Sequence, residues 1–158
     1  MTGRTSAGIL LHRRHGPHLE VLLGHPGGPF SAARDEGHWT IPKGEVEPDE
    51  ELLSVGLREF AEETGHPVPD GPRVPLGWIR QKGGKVVHAW AVEGDLEPAH
   101  ARSNTFSMEW PPRSGVLQEF PEIDRVAWFT IEHARARIKD AQAAFLDRLL
   151  EALAAGTG

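Results

Sequence analysis

The sequence predicts an α+β fold in which a mixed β-sheet packs between helices, as an α/β/α sandwich. Short apolar segments with strand character intermix with helical segments, without the regular strand–helix–strand spacing of a parallel sheet. The length of 158 residues fits one compact domain, residues 1–158, and leaves little room for a second. We therefore expect a single domain built around one sheet.

The composition is that of an ordinary globular protein. Apolar residues make up 39% of the chain and charged residues 25%. No segment approaches the ~20 consecutive apolar residues of a membrane span, and residues 1–11 lack the layout of a signal peptide. The absence of cysteine excludes disulfides and thiolate catalysis. We expect a cytoplasmic monomer or homodimer with no membrane partner.

The net charge of −6 excludes a broad basic surface, so a nucleic-acid partner is not expected. An acidic protein that handles phosphates does so with a few placed cations and a bound metal ion. The chain has five tryptophans and no tyrosine. Tryptophan or phenylalanine must therefore supply any ring that stacks on a ligand.

The first part of the chain is predicted to form a hairpin, a long loop and a short strand. Residues 7–11 and 20–23 are apolar runs joined by a polar connection, as in a hairpin. Residues 24–37 are rich in Gly, Pro and Ala and predict a long loop. Residues 38–41 predict a short strand that ends at Pro42.

A helix over residues 50–64 is the best-defined element. Asp49 is the predicted N-cap, with two glutamates in the first turn, where carboxylates favour the positive helix end. Gly65 stands at the position of a helix-ending glycine, and Pro67 follows it as a stop. An apolar stripe at helical spacing is formed by Leu53, Leu57, Phe60, Ala61 and Thr64.

The second part of the chain predicts further strands and two more helices. The predicted elements are strands over 76–80, 86–92 and 125–129, and helices over 131–138 and 141–153. Thr130 and Asp140 are the predicted caps of these helices. Residues 103–115 predict a loop, because polar groups and prolines interrupt any period.

One motif spans the segment from Gly44 to His66. Its fixed residues are Gly44, Glu50, Arg58, Glu59, Glu62, Glu63 and Gly65. This spacing resembles the Nudix hydrolase signature, in which Gly is followed after five residues by Glu and after seven more by Arg-Glu, with Glu-Glu and Gly to close it. All seven fixed positions match. His66 departs from the aliphatic residue of the last position, which is a packing position.

The helix glutamates have a physical reason to lie together. Glu59, Glu62 and Glu63 are three and four residues apart, so their carboxylates converge on one face, off the apolar stripe. Their mutual repulsion favours a hard divalent cation with oxygen ligands, magnesium or manganese. Arg58 is placed to pair with Glu62 or with Glu50. Glutamates alone also fit a solvated helix face, and the matching glycine and arginine favour the metal site.

The resemblance implies a magnesium-dependent pyrophosphohydrolase that cleaves a nucleoside diphosphate linked to another moiety. The implied catalytic residues are Arg58, Glu59, Glu62 and Glu63. The implied metal ligands are Glu59, Glu62, Glu63, the carbonyl of Gly44, and Glu122. Glu62 is the favoured general base. Glu122 is included among the ligands because many members carry a Glu six residues before a Trp in a strand, here Trp128. The alternative is that Glu122 is an ordinary loop glutamate.

Two segments bear on the substrate. The run from Trp39 to Gly44 resembles members that hydrolyse dinucleoside polyphosphates, diphosphoinositol polyphosphates or capped and triphosphorylated RNA ends. Lys43 in that run either holds a distal phosphate as a point charge or is a solvent-facing turn lysine. Arg80 is a further candidate phosphate contact.

Trp110 and Arg113, in the predicted loop, either recognise a base or sugar or merely pin the connection to the core. Together with residues 80–82 and 85–90, this loop resembles a bacterial subgroup of predicted nucleoside triphosphate pyrophosphohydrolases. We expect a small-molecule substrate, with a dinucleoside polyphosphate or a nucleoside triphosphate first. Alternatives are a hydrolase of ADP-ribose or nucleotide sugars, and a catalytically weak Nudix-like binding or regulatory domain. Isopentenyl diphosphate isomerase, which shares the fold, is excluded because it needs a catalytic cysteine.

Overall fold

The computed structural model describes residues Arg4–Gly156, which form eight strands and three α-helices. The strands are β1 (Thr5–His15), β2 (His18–Pro26), β3 (Lys43–Glu45), β4 (Val74–Arg80), β5 (Val86–Glu93), β6 (Thr105–Glu109), β7 (Leu117–Pro121) and β8 (Ile123–Thr130). The helices are α1 (Leu52–Thr64), α2 (Ile131–Arg137) and α3 (Ala143–Gly156). Within this described range, no helix is long and apolar enough to span a lipid bilayer.

Six of the strands form one mixed sheet. The order is β4-β5-β1-β2-β8, and β3 also pairs with β1. β1 runs parallel to β5, so that Ser6 lies opposite Val87, and the other pairs in this sheet are antiparallel. The predicted mixed sheet is confirmed. The parallel pairing brings the beginning of β1 next to the turn before β5.

Helices cover both faces of this sheet. On β1, Ile9 and Leu11 pack in a cluster with Phe60 of α1, whereas Leu10 packs on the opposite face with Phe145 of α3. All five side chains are fully buried. Side chains alternate between the faces of a strand, so an unbroken apolar run is required when both faces are covered. The predicted α/β/α sandwich is confirmed.

The chain between β2 and α1 separates the first two strands. The N–H of Ile9 donates to the carbonyl of Pro42 across 3.1 Å, and the N–H of Gly24 donates to Thr40 across 2.8 Å. β3 begins one residue after Pro42 and continues along β1. The predicted strand over 38–41 is therefore present only as isolated β-bridges at Trp39 and Thr40, and the regular strand β3 follows it. Proline offers a carbonyl but no N–H, so the ladder becomes regular only after it.

Helix α1 begins two residues later than predicted. Its N-cap is Glu51 rather than Asp49, and Glu51 makes no capping bond with its side chain. Glu50 instead closes the preceding turn, where its Oε1 accepts the N–H of Glu47 across 3.0 Å. Gly65 ends the helix with a φ of 77°, as predicted.

The C-terminal helices are present as predicted, but the second one begins and ends later, and its predicted cap, Asp140, lies inside a 3₁₀ turn whose N-cap is Lys139. The Oγ1 of Thr130 accepts the N–H of His133 across 3.3 Å and caps α2, as predicted. The α3 helix begins at Ala143 rather than at residue 141, because Asp140–Gln142 forms a turn of 3₁₀-helix first.

The predicted loop over 103–115 is wrong in part. β6 and β7 form a separate antiparallel hairpin, in which Phe106 lies opposite Phe120 with ring centroids 6.0 Å apart. Most residues of both strands are exposed or only partly buried, so the hairpin lacks the clean apolar alternation that identifies a strand. The remaining connection carries Trp110 and Arg113.

Candidate active site

The helix carboxylates meet the glycine-bearing strand β3 at a cavity of about 250 Å³. The lining residues are Ser6, Lys43, Gly44, Glu45, Glu59, Glu63, Lys85, Asn104 and Glu122. They come from β1, β3, α1, and the segments that precede β5, β6 and β8. The lining is therefore polar and assembled from segments far apart in the chain.

Glu63 is the most buried of the predicted carboxylates. Its exposed fraction is 7%, and its Oε1 accepts the backbone N–H of Lys43 across 3.2 Å. Burial, followed by repulsion from Glu59, raises the pKa of Glu63 to about 8, although the Lys43 hydrogen bond and charge oppose the shift. Glu63 is thus buried without joining the apolar stripe of the helix, because β3 covers this side of the last turn.

Gly44 and Glu59 touch so closely that no side chain fits between them. A Cβ built on Gly44 lies 2.0 Å from Oε1 of Glu59. Glu59 is itself largely buried, with 16% of its side chain exposed. Burial and the charge of Glu62 raise the pKa of Glu59, against the opposing effect of Arg58. The glycine of the motif therefore has a steric cause.

Glu122 reaches the cavity from the segment before β8. Its N–H donates to the carbonyl of Asn104 across 2.9 Å, and its carbonyl accepts the N–H of Gly27 across 3.0 Å. Burial raises the pKa of Glu122, and the charge of Lys43 opposes this rise. Glu122 is in turn one of the charges that raise the pKa of Glu63. The fold thus places Glu122 beside the helix carboxylates.

Arg58 and Glu62 lie on the solvent side of the helix. Arg58 donates to Glu50 across 2.5 Å, and its guanidinium lies 3.6 Å from Glu59 and 3.7 Å from Glu62. Arg58 was expected to pair with Glu62 or with Glu50, and in the structure it contacts both. The Glu62 side chain is 41% exposed, and it lies outside the cavity lining.

Two lysines bring positive charge to the cavity. Burial, followed by the charges of Lys85 and Lys139, lowers the pKa of Lys43 to about 8, whereas Glu63 and Glu45 oppose the shift. Lys85 lies in the turn before β5, and the sequence did not single it out from ordinary surface charges. An anion that binds between these lysines relieves their repulsion, and phosphate has the matching charge.

Ser6 is a cavity residue that sequence reasoning missed. It is 1% exposed, and in the described residues its Oγ is the sole buried side-chain polar atom without a hydrogen-bond partner. The available signal was a hydroxyl at the start of an apolar strand. Asn104 also lines the cavity and had been included in the predicted loop without a role.

The other predicted substrate contacts lie away from the carboxylates. Arg80 is the last residue of β4, where it donates to the carbonyl of Gly84 across 3.4 Å and lies 5.9 Å from the centre of the exposed Trp78 ring. Trp110 packs edge-on against Phe30, with centroids 5.2 Å apart, and Arg113 occupies the β6–β7 connection with a φ of 62°. None of the predicted residues Arg80, Trp110 and Arg113 lines the cavity.

A family model decides the relationship of this chain to known proteins. The NUDIX domain model matches residues 2–149. The chain belongs to the Nudix family. One relative is the asymmetrical bis(5'-nucleosyl)-tetraphosphatase of Rattus norvegicus, which is 34% identical over 99 residues, or 56% of this chain and 63% of the relative. The Nudix chain thus spans less than two thirds of that relative's length.

Solved structures share the Nudix fold. The C. elegans Ap4A hydrolase binary complex superposes with a TM-score of 0.64 at 21% identity, over 95% of this chain and 98% of that one. The NUDIX domain of Shewanella oneidensis NrtR complexed with ADP ribose has a TM-score of 0.65 at 18% identity, over 97% of this chain and 90% of that one. At these identities the similarity establishes the fold.

The Nudix residues of the cavity suit a divalent cation. Among Arg4–Gly156, no three His, Asp or Glu side chains form a complete metal-binding group. The donors nevertheless fit one, because Glu59, Glu63 and Glu122 line one cavity, and burial raises the pKa of each, so that a bound cation would stabilise their charged forms. The backbone of Gly44 lies directly against the Glu59 carboxylate. Donors that are all oxygen match magnesium or manganese.

Proposed function

We propose that this Nudix protein is a pyrophosphohydrolase that depends on magnesium or manganese and cleaves a nucleoside diphosphate linked to another moiety. The observation that carries the proposal is the cavity in which Glu59, Glu63 and Glu122 lie with Lys43 and Lys85. Carboxylates at this density favour a bound cation, and ammonium groups next to them favour an anionic substrate. A diphosphate that bridges the cation and the lysines satisfies both requirements.

The cation-binding residues in this proposal are Glu59, Glu63, the carbonyl of Gly44, and Glu122. When bound, a divalent cation lowers the pKa of an attacking water and neutralises charge on the leaving phosphate. The hydrogen bond from Lys43 N–H to Glu63 fixes one of these carboxylates before the cation arrives. Such preorganisation strengthens electrostatic stabilisation of the transition state.

Glu62 is the proposed general base. Its carboxylate is exposed, yet its charge reaches Glu59 and raises the pKa of that residue. An exposed carboxylate accepts a proton from the attacking water and passes it to solvent. Arg58, bonded to Glu50 and within 3.7 Å of Glu62, orients this side of the helix.

A dinucleoside polyphosphate is the proposed first substrate class, followed by a nucleoside triphosphate. Lys43 and Lys85 supply charge beyond that of one bound cation, which suits a phosphate chain longer than a single diphosphate. The activity for which the rat relative is named, that of an asymmetrical bis(5'-nucleosyl)-tetraphosphatase, supports the same class. The Nudix chain acts on this small molecule without a nucleic-acid or membrane partner.

A substrate panel in magnesium, manganese or excess chelator tests the proposal. The panel comprises diadenosine tetraphosphate, ATP, ADP-ribose and a sugar nucleotide, with products separated by chromatography. We expect metal-dependent cleavage, fastest for diadenosine tetraphosphate, and little turnover by Glu59→Gln under the same conditions. Full turnover in chelator contradicts the metal proposal, and faster cleavage of ADP-ribose contradicts the substrate class.

A further inference from the structure

All four lysines of this chain line one of two pockets, although its thirteen arginines make arginine the main cation. Lys43 and Lys85 line the carboxylate cavity. Lys82 and Lys139 line a second pocket of about 740 Å³. This second, outer pocket is lined by Arg34, Gly37, Gln81, Lys82, Lys139, Asp140 and Ala141. Lysine is thus confined to one region of the molecule.

These cations lack partners of opposite charge. Within Arg4–Gly156, no ion pair involves any of the four lysines or Arg34, whereas arginines elsewhere pair with carboxylates, as Arg135 does with Asp147 across 2.6 Å. Burial, followed by the charges of Lys85 and Arg34, lowers the pKa of Lys139. Lys43 and Lys85 share their cavity with glutamates, whereas Lys82, Lys139 and Arg34 group at the outer pocket without ion pairs to any described residue. Such a group of cations in a protein of net charge −6 marks a place for an anion.

Gln142 joins the chain segments that carry the lysines. It is fully buried, and its Oε1 accepts the N–H of Ile41 across 3.0 Å. Its Nε2 donates to Oε1 of Gln81 and to Oγ1 of Thr40, each across 2.9 Å. The side chain of Gln142 thereby connects three segments: the one that precedes Lys43, the turn that carries Lys82 and Lys85, and its own segment, which carries Lys139. The backbone positions of the lysines are fixed relative to one another before any ligand arrives.

The outer pocket remains positive in spite of one carboxylate. Among its described lining residues, Asp140 is the sole acid beside three cations. Arg34 lies in the long loop before β3, and Nε2 of the fully buried His25 lies 2.6 Å from the Arg34 carbonyl. His25 also contacts Asp124 across 3.0 Å. The loop backbone that carries Arg34 is therefore anchored to β2 and β8.

We propose that the outer pocket is a second phosphate subsite, which binds the distal phosphates of an extended oligophosphate while the cleaved bond lies beside Glu59 and Glu63. This inference rests on the proposed function, because it takes the carboxylate cavity as the place of cleavage. Lys82 begins the short turn Lys82–Gly84, and Lys85 follows it directly. Because Lys82 lines the outer pocket and Lys85 lines the cavity, this turn connects the two. Ammonium groups bind phosphates as point charges, so the affinity of such a subsite depends on the length of the phosphate chain and not on the identity of the base.

Binding of inorganic tripolyphosphate to the metal-free protein tests the subsite apart from catalysis. In excess chelator, calorimetry compares the wild type with Lys82→Ala, Lys139→Ala and Arg14→Ala. Arg14 is an exposed β1 residue outside both pockets, so its variant loses the same charge elsewhere. We expect the affinity to fall about tenfold in Lys139→Ala, and clearly in Lys82→Ala, with no change in Arg14→Ala. Equal affinities in all three variants overturn the proposal.

A kinetic comparison completes the test. If the subsite binds the distal phosphates of a long chain, Lys139→Ala raises KM for diadenosine pentaphosphate more than for ADP-ribose and leaves kcat nearly unchanged. Equal rises for both substrates overturn the subsite while leaving the hydrolase intact. If the wild type cleaves no substrate of the panel, the proposed function fails, and tripolyphosphate binding still decides whether the outer pocket is an anion site.

Discussion

The backbone N–H of Lys43 donates a hydrogen bond to Oε1 of Glu63 across 3.2 Å, although 20 positions separate the two residues. This bond joins β3 to the last turn of α1 and holds the buried carboxylate next to Gly44. The ammonium group of the same lysine lines the same cavity. Burial displaces the pKa of both groups towards their neutral forms, to about 8 in each case. In the proposed function, a bound cation and a bound phosphate would restore the charged forms.

Glu63 gives the metal-free protein a stability that depends on pH. Because burial and Glu59 raise the pKa of Glu63 from 4.5 to about 8, the folded state keeps a proton that the unfolded chain releases. This contribution is complete below pH 4.5 and is lost as the pH rises through about 8. Urea unfolding in chelator, at several pH values between these limits, measures the slope. Glu63→Gln should have a smaller slope.

Glu151→Gln, on α3, is the matched control for that measurement, since its carboxylate is exposed and lies outside the cavity. It should keep the slope of the wild type. Magnesium added at pH 8 should stabilise the wild type and have little effect on Glu63→Gln, because a ligand is missing. Equal slopes in the wild type and Glu63→Gln contradict the burial of a protonated carboxyl.

Gly44→Ala should abolish most activity without unfolding the protein. The added Cβ lies 2.0 Å from Oε1 of Glu59, so the carboxylate must move and the metal geometry is lost. We expect kcat/KM to fall about a hundredfold or more. Gly56→Ala, on α1, is the control, because its Cβ comes no closer than 3.4 Å to another segment. Normal turnover of Gly44→Ala shows that this contact is not needed.

Lys43→Ala should weaken catalysis on long substrates more than on short ones. If Lys43 holds a distal phosphate, kcat/KM for diadenosine tetraphosphate falls by about tenfold more than for ADP-ribose. Arg80→Ala should change neither, because Arg80 lies outside the cavity. Equal losses of Lys43→Ala on both substrates point to a structural role in the loop.

Ser6→Ala separates stability from substrate binding. The buried Ser6 hydroxyl has no hydrogen-bond partner among residues 4–156, so its removal should raise the free energy of unfolding by about 1 kcal/mol. If the hydroxyl contacts substrate, KM should rise in the same variant. Denaturation and steady-state kinetics of one preparation measure both effects. A less stable variant with unchanged KM contradicts this interpretation.

Local spacing determined the part of the site that lies on one helix. Glutamates three and four residues apart must share a helical face, and a glycine after the last turn ends the helix whatever the rest of the chain does. The motif from Gly44 to Gly65 therefore predicted α1, its C-terminal end and the family. The N-terminal boundary was missed because Glu50 bonds to the loop, a choice between two local hydrogen bonds that spacing does not reveal.

The tertiary structure alone decided which groups share the cavity. The pairing of β3 with β1 puts Gly44 opposite Ala7, next to Ser6, and the parallel pairing of β1 with β5 brings Lys85 alongside. Burial of Glu63 and exposure of Glu62, adjacent in sequence, follow from the strand that covers one side of α1. These outcomes depend on contacts between segments far apart in the chain. The spacing of residues along one helix determines which side chains share a face. The burial and charge environment of those side chains depend on the segment that packs against that face.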